Sequence, residues 1–310
     1  MLHHWQTLAP GTAGSLEWSH SGIAVDSAGA VYWADPAGGA VLVQAPGGDP
    51  DRIEVPLLEV HGITYDGRGG REVLWLADPG FKLRPPRYEP EGRAGAAGCF
   101  DLATREFRPL TPPDLPAYAG DSWRPTAIAV CGDTVVVADG YGASLVHYFR
   151  GSEHLLTLNG SDTGTDFQCP HDIAILDDQR LVVADRGNHR LVSFRLDGTY
   201  LGTFTDPLVR SPAGLAVRDG RLIVADVERA VLAVDLDRGR VEEIVAYPAE
   251  PKQPGWPNLD RGGETVRPDL AVGVLNSPHS VAVGVDGSLY VTEFVIGGRE
   301  IRLVPAGPEN

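Results

Sequence analysis

Three histidines occupy the same place in a repeating unit: Val60-His61-Gly62-Ile63, Pro170-His171-Asp172-Ile173 and Pro278-His279-Ser280-Val281. Each lies two residues before the first β-branched residue of an apolar run. A single histidine at the start of a strand is usually a hydrogen-bonded filler. Recurrence at matched positions points instead to a ligand set, because catalytic zinc is commonly held by three protein side chains with a fourth place left for water or substrate. Zn2+ is the expected ion, with iron, copper or nickel as imidazole-compatible substitutes.

The elements that must position these imidazoles follow from the repeat itself. Apolar runs followed by an Ala-Asp-like step recur six times, with the acidic residues at Asp35, Asp78, Asp139, Asp185, Asp226 and Glu293. Between the two apolar runs of most units lies a hairpin-type turn such as Asp26-Ser27-Ala28-Gly29. One or two further short strands follow, for example Arg190–Phe194 and Tyr200–Phe204. Four short antiparallel strands in repeats of this length predict an all-β, six-bladed β-propeller occupying residues 1–310 as a single domain. The last repeat runs out after Ile301-Arg302-Leu303-Val304, so the N-terminal Trp5–Leu8 is expected to supply its outer strand and close the ring.

In such a blade the first strand lines the central channel. Around the ring, the position before it reads Ser21, His61, Thr126, His171, Ala213 and His279, so histidine falls on blades 2, 4 and 6. Alternate blades are about 120° apart, which predicts convergence of the three rings on one point. His20 is one residue out of phase, so strand alternation should turn it elsewhere. His147 and His154 fall on outer strands of blade 3 and are expected at the surface; His189 reads as a loop residue. The loop after each Ala-Asp step returns to the histidine face, which brings Tyr141 and Arg186 there. Two insertions, 79–98 and 246–276, are expected as loops over that face, carrying Phe81, Tyr88 and Trp256.

Composition narrows the function classes. A formal charge of -16 argues against nucleic-acid or anionic-membrane partners, which reward clustered Lys and Arg. No secretory signal and no membrane-spanning apolar run is legible. The three cysteines, Cys99, Cys131 and Cys169, show no CxxC spacing and read as reduced, mostly buried thiols of a cytoplasmic protein. The chain is expected to act as a monomer on a small-molecule or peptide-like substrate.

The stretch from Pro170-His171-Asp172-Ile173 through Val183-Ala184-Asp185-Arg186-Gly187-Asn188-His189-Arg190-Leu191 resembles an NHL repeat. More narrowly, His61-Gly62-Ile63-Thr64, Val137-Ala138-Asp139-Gly140-Tyr141, Val183-Ala184-Asp185-Arg186 and Pro278-His279-Ser280-Val281 resemble bacterial relatives of peptidyl-α-hydroxyglycine α-amidating lyase. That resemblance implies a metal held by His61, His171 and His279, Tyr141 as the base, and Arg186 holding substrate charge. It implies cleavage of a carbinolamide, N–CH(OH)–COO⁻, to an amide and glyoxylate, the metal stabilising the alkoxide form of the hydroxyl. Tyrosine could serve as base only with its pKa lowered from about 10 by the metal and Arg186.

The chain departs from the family in several places. Where the family has a blade 1 arginine this chain has Asp35-Pro36-Ala37-Gly38, and its only methionine is Met1, so an active-site methionine is missing. Ser280 replaces the aspartate that helps the family hold a structural calcium, and Gly142 replaces a cysteine. The substrate therefore need not be a peptidyl-hydroxyglycine. Two other classes compete with this reading. One is a non-catalytic propeller binding a protein or ligand. The other is a hydrolase or lactonase-type propeller with calcium held by carboxylate and Asn, here Glu293 and Asn276.

Overall fold

The computed structural model describes residues 3–8, 15–120, 122–177 and 179–305. Six four-stranded antiparallel sheets form the blades of a propeller. Blade 1 comprises Ile23–Val25, Val31–Ala34, Ala40–Gln44 and Asp51–Glu54, running from the channel outward. Blade 4 is Pro170–Leu176, Arg180–Asp185, Arg190–Arg195 and Tyr200–Phe204, and blades 3 and 5 follow the same order. In blade 6 the strands Pro278–Val283, Leu289–Glu293 and Glu300–Pro305 are completed by the N-terminal strand His3–Thr7, with Trp5 opposite Leu303. Chain closure therefore occurs where the incomplete last repeat predicts it. No α-helix occurs among the described residues, only 3-10 turns such as Arg186–Asn188, and no helix is long and apolar enough to cross a membrane.

The core lies between successive sheets rather than within one. Val136, Val146 and Tyr148 of blade 3 pack against Ile173, Leu181, Val183 and Phe194 of blade 4. These β-branched and aromatic side chains suit a pleated surface buried on both faces. Near the channel neighbouring blades approach too closely for ordinary side chains at Gly22, Gly62 and Gly214. A Cβ at Gly22 would stand 2.7 Å from the His61 carbonyl oxygen, and one at Gly62 would stand 2.7 Å from that of Thr126. Glycine there lets neighbouring blades draw together around the axis.

The recurring acidic step has a structural task. Asp185 accepts the backbone N–H of Gln168, three residues before His171, and pairs with Arg190 Nε at 2.6 Å. Asp78 accepts from Leu58 and Glu59 just before His61, and Glu293 accepts from Asn276 and Ser277 just before His279. Each acid thus straps the end of the second strand to the segment that delivers a histidine into the channel. All three are fully buried, where an unpaired charge would be strongly disfavoured.

The insertions are more ordered than plain loops. The first carries a hairpin, Phe81–Arg84 with Glu89–Gly92, and gives way at Ala96 to the third strand of blade 2. The second carries Leu259–Arg261 paired with Glu264–Val266. Inside the first hairpin, Lys82 is completely buried and donates to Glu59 Oε2 at 2.9 Å and to the Trp18 carbonyl at 3.2 Å. The hairpin is thereby fastened to the segment that precedes His61.

Candidate metal centre

The three in-phase histidines converge. The ring centroids of His61, His171 and His279 are 4.6 to 4.9 Å apart, and all three rings are buried. They line the head of a central cavity of about 50 Å³ walled by the inner strands. Their orientation is fixed by one repeated contact. Nδ1 of His61 donates to the Thr126 carbonyl at 2.7 Å, Nδ1 of His171 to that of Ala213 at 2.7 Å, and Nδ1 of His279 to that of Ser21 at 3.1 Å. A carbonyl only accepts, so Nδ1 must carry the proton and Nε2 presents a lone pair inward. Backbone carbonyls in this role orient and strengthen imidazole ligands.

Burial holds the imidazoles of His61 and His171 well below their ordinary range and brings His279 down to about 3. All are neutral near pH 7. Nε2 of His61 and Nε2 of His279 nevertheless face each other at 3.1 Å. With both ring protons committed to carbonyls, two lone pairs oppose one another across that gap. A cation held by these nitrogens would relieve the repulsion, so the donor set fits a transition metal by its own chemistry.

The structure adds a fourth imidazole that strand alternation misplaces. His20 is buried, with its ring 4.4 Å from that of His61 and 4.6 Å from that of His279. One nitrogen from each of His20, His61, His171 and His279 lies within 4.8 Å of all the others. Alternation fails here because residues 19–22 are not strand; the inner strand of blade 1 begins only at Ile23. The acid of blade 1 also differs: Asp35 caps Ala37 and pairs with Arg52, and among the described residues it makes no strap to the segment leading to His20.

Tyr141 and Arg186 are both brought to the histidines. The Tyr141 hydroxyl donates to His171 Nε2 at 2.9 Å and lies 3.1 Å from His20 Nε2 and 3.4 Å from His61 Nε2. The Arg186 guanidinium carbon stands 5.5 Å from the Tyr141 ring centre, and the side chain donates to Cys169 Sγ at 3.3 Å. Among the described residues no carboxylate pairs with Arg186. Burial pushes the Tyr141 phenol up to about 12 against the pull of Arg186. The chain by itself therefore keeps the phenol protonated, so the lowering that a base role needs is not supplied by Arg186 alone.

The insertions reach the site unequally. Phe81 of the first hairpin packs 5.6 Å from Tyr141 and 6.2 Å from His20, while Tyr88 packs edge-on to Trp18 at 5.4 Å. Trp256 of the second instead donates from its indole N–H to the Asn276 carbonyl and lies under Lys252.

Three side chains outside the centre depart from expectation or meet it. His147 is not a surface residue: it is fully buried, bonded to Tyr118 and Thr157, because the third strand of blade 3 is covered on both faces. His154 is half-buried and bonds Thr157. His189 is a loop residue with positive φ that bonds the Arg210 carbonyl. The cysteines form no disulfide and are half-buried rather than buried.

The NHL repeat profile matches residues 167–194, the segment holding His171 and Arg186. The chain is 27% identical over 254 residues to peptidyl-alpha-hydroxyglycine alpha-amidating lyase 2 of Drosophila melanogaster, a match covering 76% of this chain and 52% of that protein. It thus spans about half the length of the curated relative it matches. Among solved structures, the gluconolactonase of Xanthomonas campestris superposes with a TM-score of 0.63 at 17% identity, covering 98% of this chain and 90% of that one. Virginiamycin B lyase from Staphylococcus aureus gives 0.59 at 13% identity, covering 98% and 99%. The fold is a six-bladed propeller, also seen in these structures, with one segment matching the NHL repeat and weak sequence similarity to an amidating lyase.

Proposed function

We propose that this chain is a cytoplasmic, monomeric metal-dependent lyase that cleaves the C–N bond of a small hydroxylated, carbinolamide-like substrate. The observation that carries the reading is the opposed pair of Nε2 lone pairs on His61 and His279, 3.1 Å apart, with both rings locked by carbonyls. His61, His171 and His279 would hold the ion, and zinc suits the all-nitrogen set. When bound, the ion supplies a Lewis acid beside the substrate hydroxyl.

The chain's own groups account for the remaining steps. Tyr141 has its hydroxyl at the donor cluster, where it can take the proton of a substrate hydroxyl once nearby positive charge has ionised it. Loss of that proton lets the C–O electrons form the carbonyl while the C–N bond breaks and its electron pair leaves on nitrogen, which the tyrosine proton then neutralises. Arg186 is permanently charged, half-buried and without a carboxylate partner among the described residues, which suits it to a substrate carboxylate. Phe81 helps cover Tyr141 and limits water at the reacting atoms.

The calcium lactonase alternative finds less support, because both Glu293 oxygens are already taken by the Asn276 and Ser277 N–H groups and by Arg299. The direct test is incubation of zinc-reconstituted protein with an N-acyl-α-hydroxyglycine. Ion-dependent release of glyoxylate with the matching amide is expected. Absence of product across a panel of carbinolamides would contradict the lyase assignment.

A further inference from the structure

We propose that His20 is a fourth, displaceable ligand of the same centre, so that the resting site is closed by four imidazoles and opens only when His20 leaves. The inference rests on the metal reading above and adds a residue that the in-phase pattern does not contain. Four observations carry it.

First, the His20 donor nitrogen belongs to a set of four that all lie within 4.8 Å of one another. In a four-nitrogen tetrahedron with bonds of about 2.1 Å, neighbouring donors sit about 3.4 Å apart. Small side-chain rotations suffice to gather the set. Second, His20 comes from the segment that leads into the inner strand of blade 1, and its ring fills that side of the centre against His61 and His279.

Third, His20 is held differently from the other three. His61, His171 and His279 are each locked by an Nδ1–H bond to a backbone carbonyl. The one hydrogen bond of the His20 ring among the described residues is through Nε2, to Tyr141. Fourth, besides the polar groups of the centre, two apolar rings flank His20: Phe294 at 4.7 Å and Phe81 at 6.2 Å. Such walls guide a ring between positions without fixing it by hydrogen bonds. The His20 ring has no backbone-carbonyl lock among the described residues, and it faces three rings that do; it is the one that an incoming oxygen ligand displaces.

The test uses the full chain loaded with Zn2+ or Co2+, alongside His20→Ala and His20→Gln. X-ray absorption should count four imidazoles on zinc in the wild type and three in both variants. Millimolar azide should leave the visible spectrum of the wild-type Co2+ protein unchanged and shift that of both variants. The variants should bind Zn2+ roughly tenfold or more weakly. Three imidazoles in the wild type, with azide binding as readily as in the variants, would overturn the role of His20 while leaving the three-histidine centre intact. Failure of the folded wild type to retain any ion would overturn both.

Discussion

His171 donates from Nδ1 to the carbonyl of Ala213, 2.7 Å away, and Ala213 is the residue that holds in blade 5 the place His171 holds in blade 4. His61 relates to Thr126 and His279 to Ser21 in the same way. The repeat therefore supplies both the ligand and the group that orients it. Blades 2, 4 and 6 contribute imidazoles, and blades 3, 5 and 1 contribute the carbonyls that fix which nitrogen faces the axis.

His171→Ala should lower Zn2+ affinity by roughly two orders of magnitude or more. The same variant should keep its far-ultraviolet circular dichroism, since the ring projects into a pre-built channel. Loss of the ring's two hydrogen bonds, to the Ala213 carbonyl and from the Tyr141 hydroxyl, and a modest cavity should cost about 1–3 kcal/mol. A variant that cannot fold would mark the histidine as core rather than ligand.

Asp185→Ala should be costlier to the fold. It removes the strap to Gln168 and leaves Arg190, itself buried, without its partner. Breaking a buried pair from one side costs about 3–5 kcal/mol. Because the strap delivers His171, urea denaturation and metal titration should both report the defect, whereas His171→Ala should affect mainly the second.

Tyr141→Phe should retain the ion and lose turnover by about 10²–10⁴-fold, the usual contribution of a positioned acid–base group. Metal content and rate measured on the same sample check this. Unchanged turnover would remove the hydroxyl from the reaction.

Glu300 gives a pH signature independent of the metal. Burial pushes its carboxyl up to about 8, with Arg267 opposing the shift and Glu293 adding to it, and among the described residues neither carboxylate oxygen has a hydrogen-bond partner. A raised folded-state pKa means that the folded chain keeps a proton the unfolded chain gives up. The associated stability is fully present below the unfolded value of 4.5 and is lost as pH rises to about 8. Glu300→Gln should therefore melt a few degrees above the wild type at pH 8 and lose that advantage toward pH 4.5. Parallel melting curves at all pH values would contradict it.

Sequence periodicity exposes the propeller, its closure by the N-terminal strand and the three in-phase histidines, because each depends on a local pattern repeated in register. His20 escapes the same reading because alternation holds only inside a strand, and it precedes its strand by three residues. A weaker signal was available: Ser19-His20-Ser21 is polar where a channel-lining segment should be apolar, and it lies beside an in-phase position. His147 escapes for a different reason. Its burial comes from Tyr118 and Trp123, which pack on it from a connection distant in sequence. The hairpins within the insertions depend on tertiary anchors such as Lys82 on Glu59, which no local pattern announces.

If the four neutral imidazoles gathered here hold an ion, the purified chain should carry it. Elemental analysis of protein purified without a histidine tag, before and after reconstitution, tests it most directly. One transition-metal ion per chain is expected, removed by a chelator and restored by Zn2+. A folded chain that remains essentially metal-free after reconstitution, or that takes up calcium alone, would contradict it.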